Sequence, residues 1–207
     1  MKPTIKLLPI AAAVLLAVTP HAHAQLKPAE PTTLPARAFH DPRSGISFQI
    51  PAGWNLTRKD GDVSTFSLDA RSTTKATQLR AVANLTFNPF PQSTFSGAYF
   101  YASLTPHISA ADCAHQVSSF NSRPITTQTI ASVPFTRGYD EHGGICTESR
   151  DDIYTAARNG ACYRFDLVIN DFCGGDVSGV KDISPQELES IRKRLESILT
   201  TIQFDKK

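Results

Sequence analysis

The sequence predicts an α+β domain built on an antiparallel sheet. Its middle part alternates short, apolar-patterned segments with turn residues, and alternating side chains of a strand face opposite sides of a sheet. The clearest segment is residues 161–170, where Tyr163, Phe165, Leu167 and Ile169 face one side. Few helical patterns interrupt these segments, and the strongest of them lies near the end of the chain. Successive strands followed by a terminal helix are typical of the α+β class.

The N-terminus has the pattern of a secretory signal. Lys2 and Lys6 precede an apolar run, and an A-x-A cleavage pattern ends at Ala24. The run is shorter than the roughly 20 residues that a membrane-spanning helix needs. We therefore expect residues 1–24 to be a cleaved signal peptide. We also expect no membrane span after its removal and a periplasmic or secreted location.

Charge and composition limit what the mature chain can be. The 207 residues include 21 basic and 19 acidic side chains, and two of the lysines leave with the signal. A nearly neutral chain lacks the clustered positive field of nucleic-acid-binding proteins, so we expect no nucleic-acid partner. Residues 25–37, QLKPAEPTTLPAR, hold three prolines and few apolar side chains, which predicts a flexible linker. Residues 38–207 are long enough for one domain.

The segment GISFQIPAGW, residues 45–54, predicts the first strand and the turn that follows it. Its alternate apolar residues share one face, and Pro51 ends the strand because it has no backbone N–H for pairing. Gly53 permits a turn that returns Trp54 to the same apolar face. We expect Trp54, the single tryptophan, to lie in the core, and the alternative is an exposed binding platform.

Further strands follow from the same alternation. Asp60-Gly61 marks a hairpin turn before a predicted strand at residues 62–69. The other predicted strands cover residues 78–87, 97–104, 125–138, 144–157 and 161–170. The polar run DEHGG, residues 140–144, is expected to be a loop between two strands. Its alternative is a cation site made by carboxylate and imidazole.

Two helices are predicted from their start signals. Ser109 with Asp112 three residues later resembles an acidic capping box and predicts a short helix from about residue 110 to 120. The run Ser184-Pro185-Gln186-Glu187 combines a hydroxyl cap, a proline in the first turn and a glutamate that can reach back to the cap. The apolar residues that follow at helical spacing are Leu188, Ile191, Leu195, Ile198 and Leu199. They predict a C-terminal amphipathic helix.

Four cysteines in an exported protein favour two disulfides. No C-x-x-C pair occurs and the spacing does not match a zinc ribbon, so we expect no metal site. A two-residue turn at Asn159-Gly160 would place Cys146 opposite Cys173, with Cα atoms about 5.5 Å apart. Cys113 would then pair with Cys162. A bulge or a three-residue loop would shift the register and turn the strand cysteines to the other face.

Motifs of catalysis are absent from the sequence. It contains no G-x-S-x-G, H-E-x-x-H, Walker or dinucleotide-binding motif, so we expect no catalytic residue and no cofactor. Tyr99 and Tyr101 share one face of a predicted strand and could line a ligand groove. A small secreted hydrolase with a site assembled from distant residues remains open, with His107, His115 or His142 as its base.

Several segments together resemble the PsbP-like domains, a fold shared by extrinsic proteins of photosystem II and many secreted bacterial proteins. They are GISFQIPAGW, IASVPF, CYRFDLVIN and the terminal helix that leads into TTIQF. The resemblance covers residues 38–204 and implies a central antiparallel sheet flanked by helices in an α/β/α sandwich. The family does not imply one activity, because its members are mostly assembly factors, accessory subunits or binding modules. We therefore expect a non-catalytic binding or accessory protein, with an unknown protein or small-molecule ligand in the cell envelope. The four cysteines and the glycine-rich run CGGDVSGVKD depart from the family pattern.

Overall fold

The computed structural model describes residues 34–57, 76–117, 123–144, 146–172, 174 and 179–206. The predicted signal peptide, most of the predicted linker, and the predicted hairpin turn with its strand at 62–69 lie outside these residues. Within them, the elements in chain order are β1 (Arg37–Asp41), β2 (Ile46–Ile50), β3 (Trp54–Thr57), β4 (Gln78–Leu85), β5 (Phe95–Pro106), α1 (Ala110–Ala114), β6 (Thr126–Ile130), β7 (Val133–Gly144), β8 (Thr147–Arg158), β9 (Ala161–Phe172), α2 (Pro185–Leu199) and β10 (Gln203–Phe204). None of the described helices has the length and apolar character to span a bilayer.

The strands form two antiparallel sheets. A small sheet has the order β1-β2-β10, and a seven-stranded sheet has the order β3-β4-β5-β9-β8-β7-β6. Helix α2 packs against β2, β5 and β9, whereas α1 packs against β8 and β9. The α+β class with a large antiparallel sheet and two helices is therefore confirmed.

The hydrophobic core lies between the small sheet, α2 and one face of the large sheet, which we call the core face. Phe48 of β2, Phe100 of β5 and Phe165 of β9 are at most 1% exposed and belong to this core. Trp54 is 2% exposed in the same cluster, so its expected place in the core is confirmed. Gly53, whose φ is 82°, makes the turn that brings it there.

Helix α2 begins as its start signal predicts. The Ser184 side chain accepts a hydrogen bond from the Glu187 N–H, and the Glu187 carboxylate accepts one from the Ser184 N–H. Both halves of the capping box are thus formed, with Pro185 as the first helical residue. The predicted apolar stripe faces the core, and its fully buried members are Ile191, Leu195, Ile198 and Leu199.

The β8–β9 hairpin has the predicted register. Arg158 pairs with Ala161 across the Asn159-Gly160 turn, and at the far end Thr147 pairs with Phe172. The predicted Cys146–Cys173 disulfide lies outside the described residues because Cys173 does.

The other cysteine pair is joined. Cys113 of α1 and Cys162 of β9 form a disulfide with an S–S distance of 2.02 Å and a Cα–Cα distance of 5.3 Å. Cys162 points away from the core face, so the bond ties α1 to the opposite face of the large sheet, which we call the polar face. Together α1 on one face and α2 on the other complete the layers.

Some predicted boundaries are wrong. Residues 125–138 form two strands, because Ala131 and Ser132 adopt left-handed φ values of 50° and 63° and make a tight turn between β6 and β7. Such turns usually carry Asn or Gly, so the sequence had no signal for this one. The helix predicted to about residue 120 ends at Ala114, with His115 as its C-cap.

Two further segments differ from their predicted conformation. The run DEHGG is the end of β7 and pairs with residues 147–151 of β8, so it is not a loop. The register with β8 holds it in the sheet despite its glycines. The predicted linker also ends early, because Arg37 pairs with Ile50 and the Leu34 carbonyl accepts a hydrogen bond from the Gly53 N–H.

Candidate functional site

A cleft of about 370 Å³ lies at one end of the large sheet. The end of β7, the start of β8, the end of β9 and the segment before α2 form its walls. We call it the sheet-end cleft, and its polar described lining consists of Thr94, Thr147, Glu148, Arg150, Asp171 and Asp182. Its volume falls within the range of about 300–1,000 Å³ that is usual for small-molecule sites.

Arg150 is the centre of the cleft's charges. Its guanidinium donates to the carboxylates of Glu148 and Asp171. Its Nε lies 3.9 Å from Glu141 Oε1. The strand register produces this cluster, since Glu141 is directly opposite Arg150 and Glu148 is directly opposite Asp171. Three carboxylates therefore share one guanidinium at the core-facing end of the sheet.

The surplus of carboxylates changes their protonation. A hydrogen bond with Glu141, together with burial, raises the pKa of Glu148 to about 7, even though Arg150 acts in the opposite direction. The pKa of Glu141 is lowered, first by its hydrogen bond with Glu148 and then by that with Tyr139. Burial raises the pKa of Asp171 although Arg150 contacts it. Near neutral pH the Glu141–Glu148 pair thus shares one proton, which leaves as the pH rises.

Charged carboxylates and one guanidinium dominate the described polar lining of the cleft. Its described lining contains no histidine, serine or cysteine, and its two threonines have no base beside them in that lining. Among the described residues no group of three or more His, Cys, Asp or Glu side chains is placed to hold a metal ion. What the cleft offers is a set of carboxylate oxygens around a fixed guanidinium, suited to hydrogen bonding with a polar or cationic group.

The predicted tyrosine pair lies elsewhere. Tyr99 and Tyr101 do share one face of β5, with ring centroids 6.0 Å apart, and Phe100 points to the core. Tyr101 is 1% exposed and packs with Val82, whereas Tyr99 is half-buried. Neither tyrosine lines the sheet-end cleft. A ligand groove at Tyr99 and Tyr101 stays a prediction.

The three candidate histidines are dispersed. His107, which follows β5, and His115, which caps α1, are exposed. His142 of β7 has its Nδ1 3.0 Å from Asp140 Oδ2, which is the contact that a general base needs for its orientation. Ser149 of β8 is directly opposite His142, but it is 3% exposed and its hydroxyl donates to Asn170.

Sequence reasoning missed the charged residues around Arg150. A signal was present, because β8 reads ESRDD and places Glu148, Arg150 and Asp152 on the face that should be apolar. Asp152 Oδ1 lies 2.8 Å from Arg137 Nη2, and Asp152 Oδ2 lies 3.0 Å from the Nε of Arg192 in α2. Charged residues at core-facing positions of a strand require partners from neighbouring elements. Finding these partners requires the pairing of β7 with β8, and the paired end of β7 was predicted to be a loop.

Comparison with known proteins gives distant structural similarities. No protein-family model matches the chain, and no curated protein matches it. The solution structure of CyanoP, the cyanobacterial PsbP of Synechocystis sp. PCC 6803, has a TM-score of 0.42 and 9% identity over 86% of this chain and 98% of CyanoP. LpqN of Mycobacterium tuberculosis, described as involved in cell envelope biogenesis, has a TM-score of 0.44 and 13% identity over 83% of this chain and 91% of LpqN.

A crystal structure from Bacteroides thetaiotaomicron VPI-5482 is also similar, with a TM-score of 0.44 and 12% identity over 84% of this chain. The chain spans 50% of that protein's length. At these identities the similarities concern the fold alone.

Proposed function

We propose that the chain is an exported, disulfide-braced binding module whose sheet-end cleft takes a small ligand carrying an amine or guanidinium group. One observation carries this proposal: three carboxylates surround the single guanidinium of Arg150, and Asp182 adds a fourth carboxylate to the lining. Among the described lining residues the carboxylates therefore outnumber Arg150 and offer more acceptors than its guanidinium can satisfy. A cationic ligand would supply the missing donors.

Two features support export. The first 24 residues have the pattern of a secretory signal. The Cys113–Cys162 disulfide is buried, with both cysteines at most 1% exposed, and such bonds persist in oxidising compartments such as the periplasm. A periplasmic or secreted location suits a protein that collects a small ligand outside the cytoplasm. Mass spectrometry of the natively produced protein tests cleavage after Ala24.

An NMR titration of the mature protein tests ligand binding. We expect agmatine and putrescine to shift the amide signals of Thr147 and Phe172, whereas 1,4-butanediol, of similar length and without charge, leaves them unchanged. Asp182→Asn should weaken agmatine binding several-fold, since it removes one carboxylate without touching the Arg150 pairs. Asp205→Asn is the matched control, because it removes a carboxylate from a different cleft, beside Tyr163. Equal shifts with butanediol, or none with agmatine, would contradict the proposal.

A small secreted hydrolase is the second candidate function. It is favoured by the hydrogen bond between His142 and Asp140 and by the position of Ser149 opposite His142. Against it, the Ser149 hydroxyl is buried and donates to Asn170, and His142 does not line the sheet-end cleft. Hydrolysis of p-nitrophenyl esters that disappears in Ser149→Ala and in His142→Gln would favour the hydrolase over the binding module.

A further inference from the structure

The polar face of the large sheet carries a row of buried acids. Asp140 of β7, Asp151 of β8 and Asp166 of β9 all have 0% exposure. Asp140 is the direct cross-strand partner of Asp151. Asp166 pairs with Ile153, so it lies diagonally beside Asp151 on the same face. Asp151 therefore lies between the two other acids on the middle strand, and all three carboxyl groups are out of contact with water.

The two outer acids have cationic or ionisable partners. His142 Nδ1 lies 3.0 Å from Asp140 Oδ2. The Arg164 Nε donates to both oxygens of Asp166, at 2.8 and 3.0 Å, and its Nη1 donates to the Gln116 carbonyl at 2.8 Å. Arg164 is itself 1% exposed, so this ion pair is fully desolvated.

The central acid has no such partner. Neither carboxyl oxygen of Asp151 accepts a hydrogen bond from any donor in the part of the chain that the structure describes. An ionised carboxylate buried without donors costs so much free energy that the group takes up a proton instead. A protonated Asp151 gains an O–H donor, and its neighbour Asp166 is an acceptor.

We propose that the Asp151–Asp166 pair is a buried proton-binding site, in which Asp151 holds a proton in the folded protein and donates it to Asp166. The proton satisfies Asp151 and completes a chain of hydrogen bonds from Asp151 through Asp166 and Arg164 to the Gln116 carbonyl that follows α1. The Cys113–Cys162 disulfide anchors the same helix to the same face. The shift of the Asp151 pKa agrees, since burial and then the negative charge of Asp166 raise it well above its ordinary value.

Ionisable groups lie on the elements around this site. They are Asp140 and His142 on β7, Asp152 on β8 itself, Asp166 and Arg164 on β9, Tyr101 on β5, and the exposed Asp112 and His115 at α1. Of these, Asp166 and Asp152 raise the pKa of Asp151 and Arg164 lowers it. A metal ion is a poorer occupant, because the described residues include no group of three or more ligands placed to hold one.

The sign of the effect on stability follows from the raised pKa. The folded protein binds a proton that the unfolded chain has released above the ordinary aspartate pKa. The stability that the Asp151 proton contributes is therefore fully present below the ordinary aspartate pKa and falls as the pH rises towards the pKa of the folded state. Within that window, the folding equilibrium constant loses a factor of about ten per pH unit, which is about 1.4 kcal/mol.

Infrared difference spectroscopy of the mature protein with ¹³C-labelled aspartate tests the proposal directly. We expect the C=O stretch of a protonated aspartic acid at pH 7, its loss in Asp151→Asn, and its survival in Asp140→Asn and in the exposed Asp205→Asn. Absence of the band from the wild-type protein would overturn the proposal. So would a band that survives unchanged in Asp151→Asn, because another aspartic acid would then carry the proton.

Urea denaturation between pH 5 and pH 8 gives a second readout. The amide that Asp151→Asn introduces can donate to Asp166 without titrating. As the pH rises, the folding equilibrium constant of wild type should therefore fall about tenfold more per pH unit than that of Asp151→Asn. Parallel stability–pH profiles of wild type and Asp151→Asn would contradict a bound proton. If added Na⁺ or Ca²⁺ stabilised wild type but not Asp151→Asn, the site would bind a cation in place of the proton. If Asp151→Asn fails to fold, the wild-type band must survive in Asp171→Asn, because burial also raises the pKa of Asp171, and its loss in that variant would overturn the proposal.

Discussion

Reduction of the Cys113–Cys162 disulfide is the perturbation with the best-defined expected cost. The bond joins α1 to β9 across 49 residues of sequence, and this segment contains β6, β7 and β8. In the unfolded chain the bond closes a loop of that length. Reduction releases the loop and increases the conformational entropy of the unfolded state.

The size of the effect follows from the loop length. For a closed loop of about 50 residues, the chain-entropy relation gives a stabilisation of about 4 kcal/mol at 25 °C. Loosening of α1 adds to this figure, because the Gln116 carbonyl that accepts from Arg164 lies just beyond the helix. We therefore expect reduction to lower the free energy of unfolding by at least about 4 kcal/mol.

The assay is urea denaturation of one protein in two redox states. A Cys146→Ser/Cys173→Ser background leaves Cys113 and Cys162 as the two cysteines, so oxidised and reduced samples differ in a single bond. The matched control is the same background with Cys113→Ala and Cys162→Ala, whose unfolding a reductant should not change. The slope of the free energy against urea should also rise on reduction, since an open chain exposes more surface.

A loss of less than about 1 kcal/mol on reduction would refute this reasoning. It would mean that the loop is already restricted in the unfolded state, or that the cysteines do not pair in solution. An equal response of the cysteine-free control would instead show that the reductant acts on something other than the disulfide.

Three further predictions concern other parts of the fold. Asp41→Asn should lower the free energy of unfolding by about 2 kcal/mol at pH 7 and by little near pH 2. Burial raises the pKa of Asp41, but hydrogen bonds from Arg80 and Ser44 outweigh it and lower the pKa to about 2. The stabilisation by Asp41 is therefore lost as the pH falls through that value. Urea denaturation at the two pH values measures this, and an equal loss at both would contradict it. Trp54→Ala should destabilise by about 3–5 kcal/mol, as for large buried aromatics, and a loss below about 1 kcal/mol would place Trp54 outside the core. Agmatine should bind more tightly at pH 8 than at pH 6, because Glu148 has a pKa of about 7, and calorimetry should show this difference lost in Glu148→Gln.

Local signals in the sequence were enough to predict those elements whose geometry they determine. The Asn159-Gly160 turn sets the β8–β9 register because both residues tolerate the left-handed conformation that a two-residue hairpin requires. The capping box at Ser184 likewise places the first turn of α2. In both cases the interacting groups lie within a few residues of each other in the chain.

The elements that were missed depend on contacts between distant segments. The turn at Ala131 and Ser132 has no residue that prefers left-handed φ, so its geometry is imposed by the pairing of β6 with β7. The cluster around Arg150 requires the β7–β8 register, which brings Glu141 opposite it. Sequence periodicity reports which face a side chain occupies, but it does not report which strand lies next to it.

The two proposed sites share β8 but occupy opposite faces of it. Arg150 points towards the sheet-end cleft, and the next residue, Asp151, points to the polar face. On β7, Asp140 lies opposite Asp151 on the polar face, and Glu141 lies opposite Arg150 on the core face. The sites are adjacent in sequence but separated by the thickness of the backbone. Asp151→Asn should therefore leave agmatine binding unchanged, and Asp182→Asn should leave the infrared band unchanged. If each variant instead altered both readouts, the two sites would be coupled through β8, and their separation by the strand backbone would be contradicted.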